Sequence, residues 1–299
     1  MPPKLSVACI GLGVMGAGIA SNIVRSGFPT RVHNRSPEKA AALSALGAVS
    51  ALSAAEAAAD ADVVVLSLPA TRDVEALLFG EAGIAGSLAP GVVVVDTSTI
   101  DAVAARGMAE RLAASGRHML DAPVSGGQKG AAEGTLSCMI GGADEALARA
   151  RPVIEAFAKT IVHVGASGAG QVTKACNQIC VAASMAAVAE SVALCGAMDV
   201  DAYRVREALL GGAARSTVVE KHMQRLLDGD TAPGFRAVLM EKDIGIALDT
   251  LRGLRVASPV TAVLDQLMHG LVASGRGDQD WCSLGHLIQE RSNRPADSR

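Results

Sequence analysis

The sequence predicts an α/β protein in which an N-terminal domain built on a parallel sheet is followed by a smaller all-α domain, the two joined by a long helix. Three observations carry this. The first half alternates short apolar runs with helix-length amphipathic segments, the βαβ rhythm of a sheet covered on both faces. An apolar helical pattern then runs unbroken from Val172 to about Cys195. No strand-like run follows Gly165, so the domains are expected at 1–165 and 166–299. With 299 residues, half of them hydrophobic, the chain has material for two cores.

In chain order, strands are expected at Leu5–Ile10, Thr30–His33, Asp62–Leu68, Val92–Asp96 and His118–Asp121, because each is a short apolar run bounded by turn residues. Helices are expected between them at Met15–Arg25, Glu38–Leu46, Ser53–Ala59, Val74–Phe79 and Ala102–Ala114, all rich in good helix formers. A further strand pair, Ser137–Ile140 and Thr160–Val164, flanks a helix around Glu145–Phe157. Beyond the turn at Ser167, Gly168 and Gly170, helices are expected at Val172–Cys195, Asp201–Leu210, Ser216–Leu227, Glu241–Leu251, Pro259–Ala273 and Leu284–Arg291. The polar tail Ser292–Arg299 is expected to fray.

The formal net charge of -3, with 27 basic and 30 acidic residues interspersed, leaves no electrostatic footprint for nucleic acid or an anionic membrane. A small-molecule partner is expected instead. The six cysteines lack paired metal-ligand spacing, so reduced, mostly buried thiols and no metal site are expected. Residues 1–10 lack the apolar core and cleavage site of a signal peptide, and no uninterrupted apolar run reaches the ~18 residues of a membrane span. The expectation is a cytoplasmic protein.

Gly11-Leu12-Gly13-Val14-Met15-Gly16 follows the first strand and opens a helix. In that context Gly-x-Gly-x-x-Gly is the fingerprint of a Rossmann-type dinucleotide site. The first glycine permits a tight turn, the second a close approach of pyrophosphate, and the third close packing of helix on strand. The anion then meets free N–H groups at the positive end of the helix. An acidic residue at the end of the second strand would bind the ribose 2'-hydroxyl of NAD, but here the chain reads His33-Asn34-Arg35-Ser36-Pro37. Arg35 can grip a 2'-phosphate while Asn34 and Ser36 hydrogen-bond it, which favours NADP, with NAD still possible.

Three further segments carry polar residues that folding alone does not require. Asp121-Ala122-Pro123-Val124-Ser125-Gly126-Gly127 lies at the carboxyl edge of the sheet, where ligands bind, and its glycines can present N–H groups to a carboxylate. Gly170-Gln171-Val172-Thr173-Lys174-Ala175-Cys176-Asn177-Gln178 opens the long apolar helix and puts Lys174, Asn177 and Gln178 on one face. A lysine there must reach water or a partner. Phe235 to Asp243 places a Lys242-Asp243 pair at the start of another helix, which by itself reads as a solvated ion pair.

The glycine loop and these three segments, in this order, resemble the β-hydroxyacid dehydrogenase family over nearly the whole chain. Its members include 3-hydroxyisobutyrate dehydrogenase, tartronate semialdehyde (2-hydroxy-3-oxopropionate) reductase and NADPH-dependent glyoxylate/succinic semialdehyde reductases. The resemblance implies that Lys174 is the catalytic lysine, that Ser125, Gly126 and Gly127 hold the substrate carboxylate, and that Asn177 orients the substrate, with Gln178 beside it. It implies that Leu68-Pro69 and Ser98-Thr99-Ile100 face the cofactor, Thr99 among them, and that Lys242 lies near nicotinamide and substrate. It also implies a homodimer or homotetramer. Some relatives have asparagine where this chain has Gln178, and Arg215 stands where others have glycine. An Arg215 that faces the cleft would select a distal anionic or polar group on the substrate.

The implied reaction passes a hydride between nicotinamide and a small hydroxy acid or semialdehyde, while Lys174 moves the proton on the reacting oxygen. Proton transfer near neutral pH asks a lysine to titrate towards roughly 7 to 8, and Lys242 is the candidate for the nearby positive charge. The alternatives are a glyoxylate or succinic semialdehyde reductase, an imine reductase, or a noncatalytic dinucleotide-binding module. The 6-phosphogluconate dehydrogenases share the fold but carry a much larger second domain.

Overall fold

A computed structural model describes residues 4–292, so the expected tail beyond Ser292 lies outside the described residues. The chain divides into two compact units between Lys174 and Ala175.

In the first unit, β1 (Val7–Ile10), β2 (Thr30–His33), β3 (Val49–Ser50), β4 (Val63–Leu66), β5 (Val93–Asp96) and β6 (His118–Asp121) lie parallel in the order β3-β2-β1-β4-β5-β6. The connections contain α1 (Val14–Arg25), α2 (Pro37–Ser44), α3 (Ala54–Ala58), α4 (Thr71–Phe79) and α5 (Ala102–Ala113). Strand order reverses between β1 and β4, so the loops after these strands flank the switch point where dinucleotides bind such sheets. The central strands β1 and β4, and β5 up to Val95, are apolar on both faces because both are covered. Val7, Cys9, Val63, Val65, Val93 and Val95 enter one core, and Ala8, Ile10, Val64, Leu66 and Val94 the other.

After β6 come β7 (Val124–Ser125), α6 (Gly127–Glu133), β8 (Leu136–Gly141), α7 (Asp144–Ile154) and β9 (Ala158–Gly165). The sheet is therefore not wholly parallel, since β8 pairs antiparallel with β6 and β7 and parallel with β9. The chain reverses at Gly126 and Gly127, whose φ angles of 132° and 64° suit glycine. β3 and β7 have two residues each, too few to show a period of two, and α6 contains glycines that its packing tolerates. These three elements escaped the sequence pattern. α6 is tied to α1 through Asn22, which donates to the Ala131 carbonyl at 2.7 Å.

The long helix α8 (Ala169–Ala197) starts in the first unit and ends in the second. By length and composition it is apolar enough to cross a membrane, although no uninterrupted apolar run reaches that length. Its Ala182, Met185, Val188 and Val192 are spent in the core of the second unit. There α9 (Ala202–Leu210) precedes a π-helical turn, Val218–His222, that runs into α10 (Met223–Leu227), followed by α11 (Ala237–Gly253), α12 (Pro259–Leu271) and α13 (Leu284–Ser292). Because α11 begins at Ala237, the Lys242-Asp243 pair sits inside the helix rather than opening it. Met223, Met240, Ile244, Leu264, Met268 and Trp281 complete this core.

One buried polar cluster braces the second unit. Asp280 is fully buried, and its Oδ2 accepts from Arg225 Nη1 at 2.8 Å and from the backbone N–H groups of Gly234 and Phe235 at 2.9 and 3.0 Å. His222 packs edge-on to Trp281, with Nδ1 4.0 Å from Asp280. Burial lowers the His222 pKa, Arg225 and Lys221 push the same way, and Asp280 opposes them. An unfolded imidazole titrates near ~6.5, so below that pH the unfolded chain binds a proton that the folded chain refuses. Stability present at neutral pH is therefore lost as the pH falls through ~6.5 towards the depressed folded value. Thermal unfolding midpoints at pH 7.5 and pH 5 should fall further in the wild type than in His222→Gln; equal falls would contradict this account.

Candidate active site

β1 ends at Ile10, and Gly11 turns the chain at φ 90°, donating to the His33 carbonyl at 3.1 Å. A methyl group on Gly16 would lie 1.9 Å from the Gly11 carbonyl oxygen, so only glycine lets α1 pack this closely on β1. A methyl on Gly13 would meet no protein atom within 4 Å. Gly13 is also the N-cap of α1 and no side chain caps it, which leaves the first N–H groups at Val14, Met15 and Gly16 unanswered by a cap. An open approach, uncapped N–H groups and the positive helix end fit the pyrophosphate of a dinucleotide.

Asn34 ties β2 to this loop. Its Oδ1 accepts from Leu12 N at 2.8 Å and its Nδ2 donates to the Ser36 carbonyl at 3.2 Å. These bonds let Asn34 shape the loop, while Arg35 is exposed beside it and Ser36 is the N-cap of α2.

Across the switch point, the turns after β4 and β5 interlock. Ser98 Oγ accepts from Leu68 N at 2.8 Å, while Ser98 N donates to Asp96 Oδ1 at 3.0 Å. Leu68 is half-buried, Pro69 exposed and Thr99 half-buried.

Beyond β6, Lys174 is buried at 7% exposure and its Nζ donates to the Val124 carbonyl at 2.9 Å. The partner that an ammonium group in an apolar helix requires is thus the residue preceding Ser125, Gly126 and Gly127. Burial raises the Asp121 pKa, and the backbone N–H groups of Gly168 and Gln171 partly offset it. Two residues not singled out from sequence, Asp121 and Gln171, hold the start of α8. Their signal was polarity inside an apolar segment, which sequence alone does not distinguish from exposure.

In the second unit, Asn177 and Gln178 follow Lys174 along α8 by three and four residues. Gln178 is buried, donates to Asp243 Oδ2 at 2.7 Å and accepts from Asn177 Nδ2 at 2.8 Å. Its amide is engaged on both sides and orients Asn177, which is half-buried. Asp243, itself buried, also pairs with Lys242 at 3.0 Å. Arg215 is exposed. Of the cysteines, Cys9, Cys138, Cys195 and Cys282 are buried, whereas Cys176 and Cys180 are exposed. Burial pushes the Cys9 and Cys138 thiols up to about 12. Among the described residues no group of three or more metal-ligating side chains comes together.

Residues 6–165 match the NAD-binding domain of 6-phosphogluconate dehydrogenase, and residues 168–288 match the NAD-binding domain of NADP-dependent 3-hydroxyisobutyrate dehydrogenase. The chain is 36% identical over 289 residues to the 2-hydroxy-3-oxopropionate reductase of Escherichia coli K12, covering 97% of this chain and 99% of that one.

The chain belongs to the β-hydroxyacid dehydrogenase family.

As a β-hydroxyacid dehydrogenase it is an NAD(P)-dependent oxidoreductase acting on CH–OH groups. The NAD-dependent L-serine dehydrogenase of Pseudomonas aeruginosa is 37% identical over 94% of this chain and 97% of that protein. The structure of Mycobacterium tuberculosis 3-hydroxyisobutyrate dehydrogenase with L-serine superposes with a TM-score of 0.89 at 32% identity, covering 96% of this chain and 99% of that one.

Proposed function

We propose that this β-hydroxyacid dehydrogenase uses NADP to interconvert a short hydroxy acid and its semialdehyde or oxo acid, with Lys174 moving the proton on the reacting oxygen. The observation that carries this reading is the Lys174 ammonium group on the carbonyl of Val124, at the head of Ser125-Gly126-Gly127. A substrate carboxylate on Ser125, Gly126 and Gly127 leaves its hydroxyl or carbonyl oxygen within the reach of the same lysine. A dinucleotide held on the loop from Gly11 to Gly16 would supply or accept the hydride through its nicotinamide. Lys174 holds the oxygen's proton in the reductive direction and removes it in the oxidative one. Asn177, oriented by Gln178, steadies the substrate oxygen, and Asp243 holds both Gln178 and Lys242 in the second unit.

The named relatives act on 2-hydroxy-3-oxopropionate, 3-hydroxyisobutyrate and L-serine, acids of three or four carbons in the main chain or branch. That common chemistry supports a short carboxylate substrate, with glyoxylate or succinic semialdehyde reduction as the second reading. The exposed apolar residues Leu194, Met198, Val260 and Val263 of the second unit support a homodimer or homotetramer. Initial rates on a panel of short hydroxy acids and semialdehydes, with NADPH and NADH in parallel, test the reading. Turnover of cyclic imines alone would overturn it. Arg35→Ala should raise KM for NADPH by about 10- to 100-fold, the weight of a charge-assisted phosphate contact, and leave KM for NADH nearly unchanged. An equal rise for both would remove Arg35 from cofactor selection.

A further inference from the structure

We propose that Gln171 is the positioning residue that registers Lys174 against the cofactor-side turns of the sheet, with Asp121 clamping the helix turn from which Gln171 projects. The proposal rests on the reading of Lys174 as the proton-transfer group.

Gln171 is 2% exposed, and its carboxamide is bonded at both ends to one turn. Oε1 accepts from Ile100 N at 3.1 Å, and Nε2 donates to the Ser98 carbonyl at 2.8 Å. The side chain thus reads the two sides of Thr99 as a neighbouring strand would. Because Ser98 Oγ also accepts from Leu68 N, holding Ser98 holds the turn after β4 as well. The other end of the linkage is equally tight. Asp121, 2% exposed, accepts from Gly168 N through Oδ1 at 2.7 Å and from Gln171 N through Oδ2 at 3.0 Å. A methyl group on Gly170 would fall 2.5 Å from the carbonyl oxygens of both Asp121 and Met139, so the first turn of α8 is pressed onto the end of β6 and onto β8.

Lys174 stands three residues on, nearly one helical turn from Gln171 along the same face. A helix packed by apolar contacts alone could slide or rotate slightly at small cost, because dispersion has little direction. A fully satisfied buried amide permits one register. The chemistry needs that register, since a misplacement of about 1 Å in a reacting group can lower the rate by ~10²-fold.

The test uses the full chain with Gln171→Leu and Gln171→Glu. Gln171→Leu keeps the volume and loses both side-chain bonds, and should lower kcat by ~10²-fold with KM for substrate little changed. In Gln171→Glu a carboxylate faces the Ser98 carbonyl and repels it, whereas the protonated acid donates to Ser98 and still accepts from Ile100. Its kcat relative to wild type should therefore rise as the pH falls. A residue needed only for folding would lower the unfolding midpoint of both variants without a pH-dependent recovery of relative kcat. Wild-type kcat in a folded Gln171→Leu, or a flat relative profile for Gln171→Glu, overturns the proposal; if Gln171→Leu does not fold, the Gln171→Glu profile decides.

Wild type that turns over none of the panel would instead refute the proposed reaction. The register is then read from the rate of reductive methylation at Lys174, followed by peptide mass spectrometry. It should differ between wild type and Gln171→Glu at high pH and converge as the pH falls. Identical rates at every pH would overturn the positioning role.

Discussion

Lys174→Met should bind NADPH normally and lose turnover by about 10²- to 10⁴-fold, the range that a general acid or base contributes. Methionine is unbranched and fills much of the lysine's volume, so the packing of α8 survives. What disappears is the only atom of that side chain able to carry a proton, together with its bond to the Val124 carbonyl. Lys174→Arg sharpens the test. Arginine keeps the positive charge but does not release its proton at accessible pH, so an electrostatic role would be preserved and a proton-transfer role lost. Both variants should therefore be inactive while NADPH fluorescence titrations match wild type. Near-normal turnover in Lys174→Met would remove the lysine from the chemistry.

Gly16→Val should weaken NADPH binding at least ~10²-fold and lower the unfolding midpoint, because overpacking here is met by backbone. The added Cβ would lie 1.9 Å from the Gly11 carbonyl oxygen and 3.0 Å from the Ser67 Cβ. Helix α1 has to retreat from β1, and its first N–H groups go with it. Gly13→Ala separates the two uses of glycine in this loop. Its methyl meets no protein atom within 4 Å, so the midpoint should hold while cofactor affinity falls. Loss of stability in Gly13→Ala, or unchanged affinity in Gly16→Val, would contradict the division between an approach position and a packing position. Calorimetric midpoints and NADPH titrations on the two variants give the comparison directly.

The central parallel strands of the first unit were legible because burial on both faces demands apolar runs, as in Val63–Leu66 and in Val93 to Val95. The short strands β3 and β7 were not, since two residues leave no period. The start of α11 was missed by four residues because Ala237 to Met240 reads apolar without a capping signal, and the expected opening at Lys242-Asp243 mistook a pair inside the helix, half-buried Lys242 with buried Asp243, for a helix entry. Asn34 shows what the sequence could not supply in the site: the fold ties its amide to Leu12 and Ser36, fixing the loop it stands in.

By itself, the sequence determined the α/β class, the glycine loop, the helical second unit and the family, because these follow from periodicity and from residue types that only a few backbone conformations accept. Only the tertiary structure decided what each polar side chain faces. It put Lys174 on Val124, Gln178 on Asp243, and Gln171 on Ser98 and Ile100, across separations of 50, 65 and some 70 residues. The reason is physical. A polar residue in an apolar segment has the same local propensity whether it points to water or to a distant backbone carbonyl, and that choice is made only when remote parts of the chain close around it.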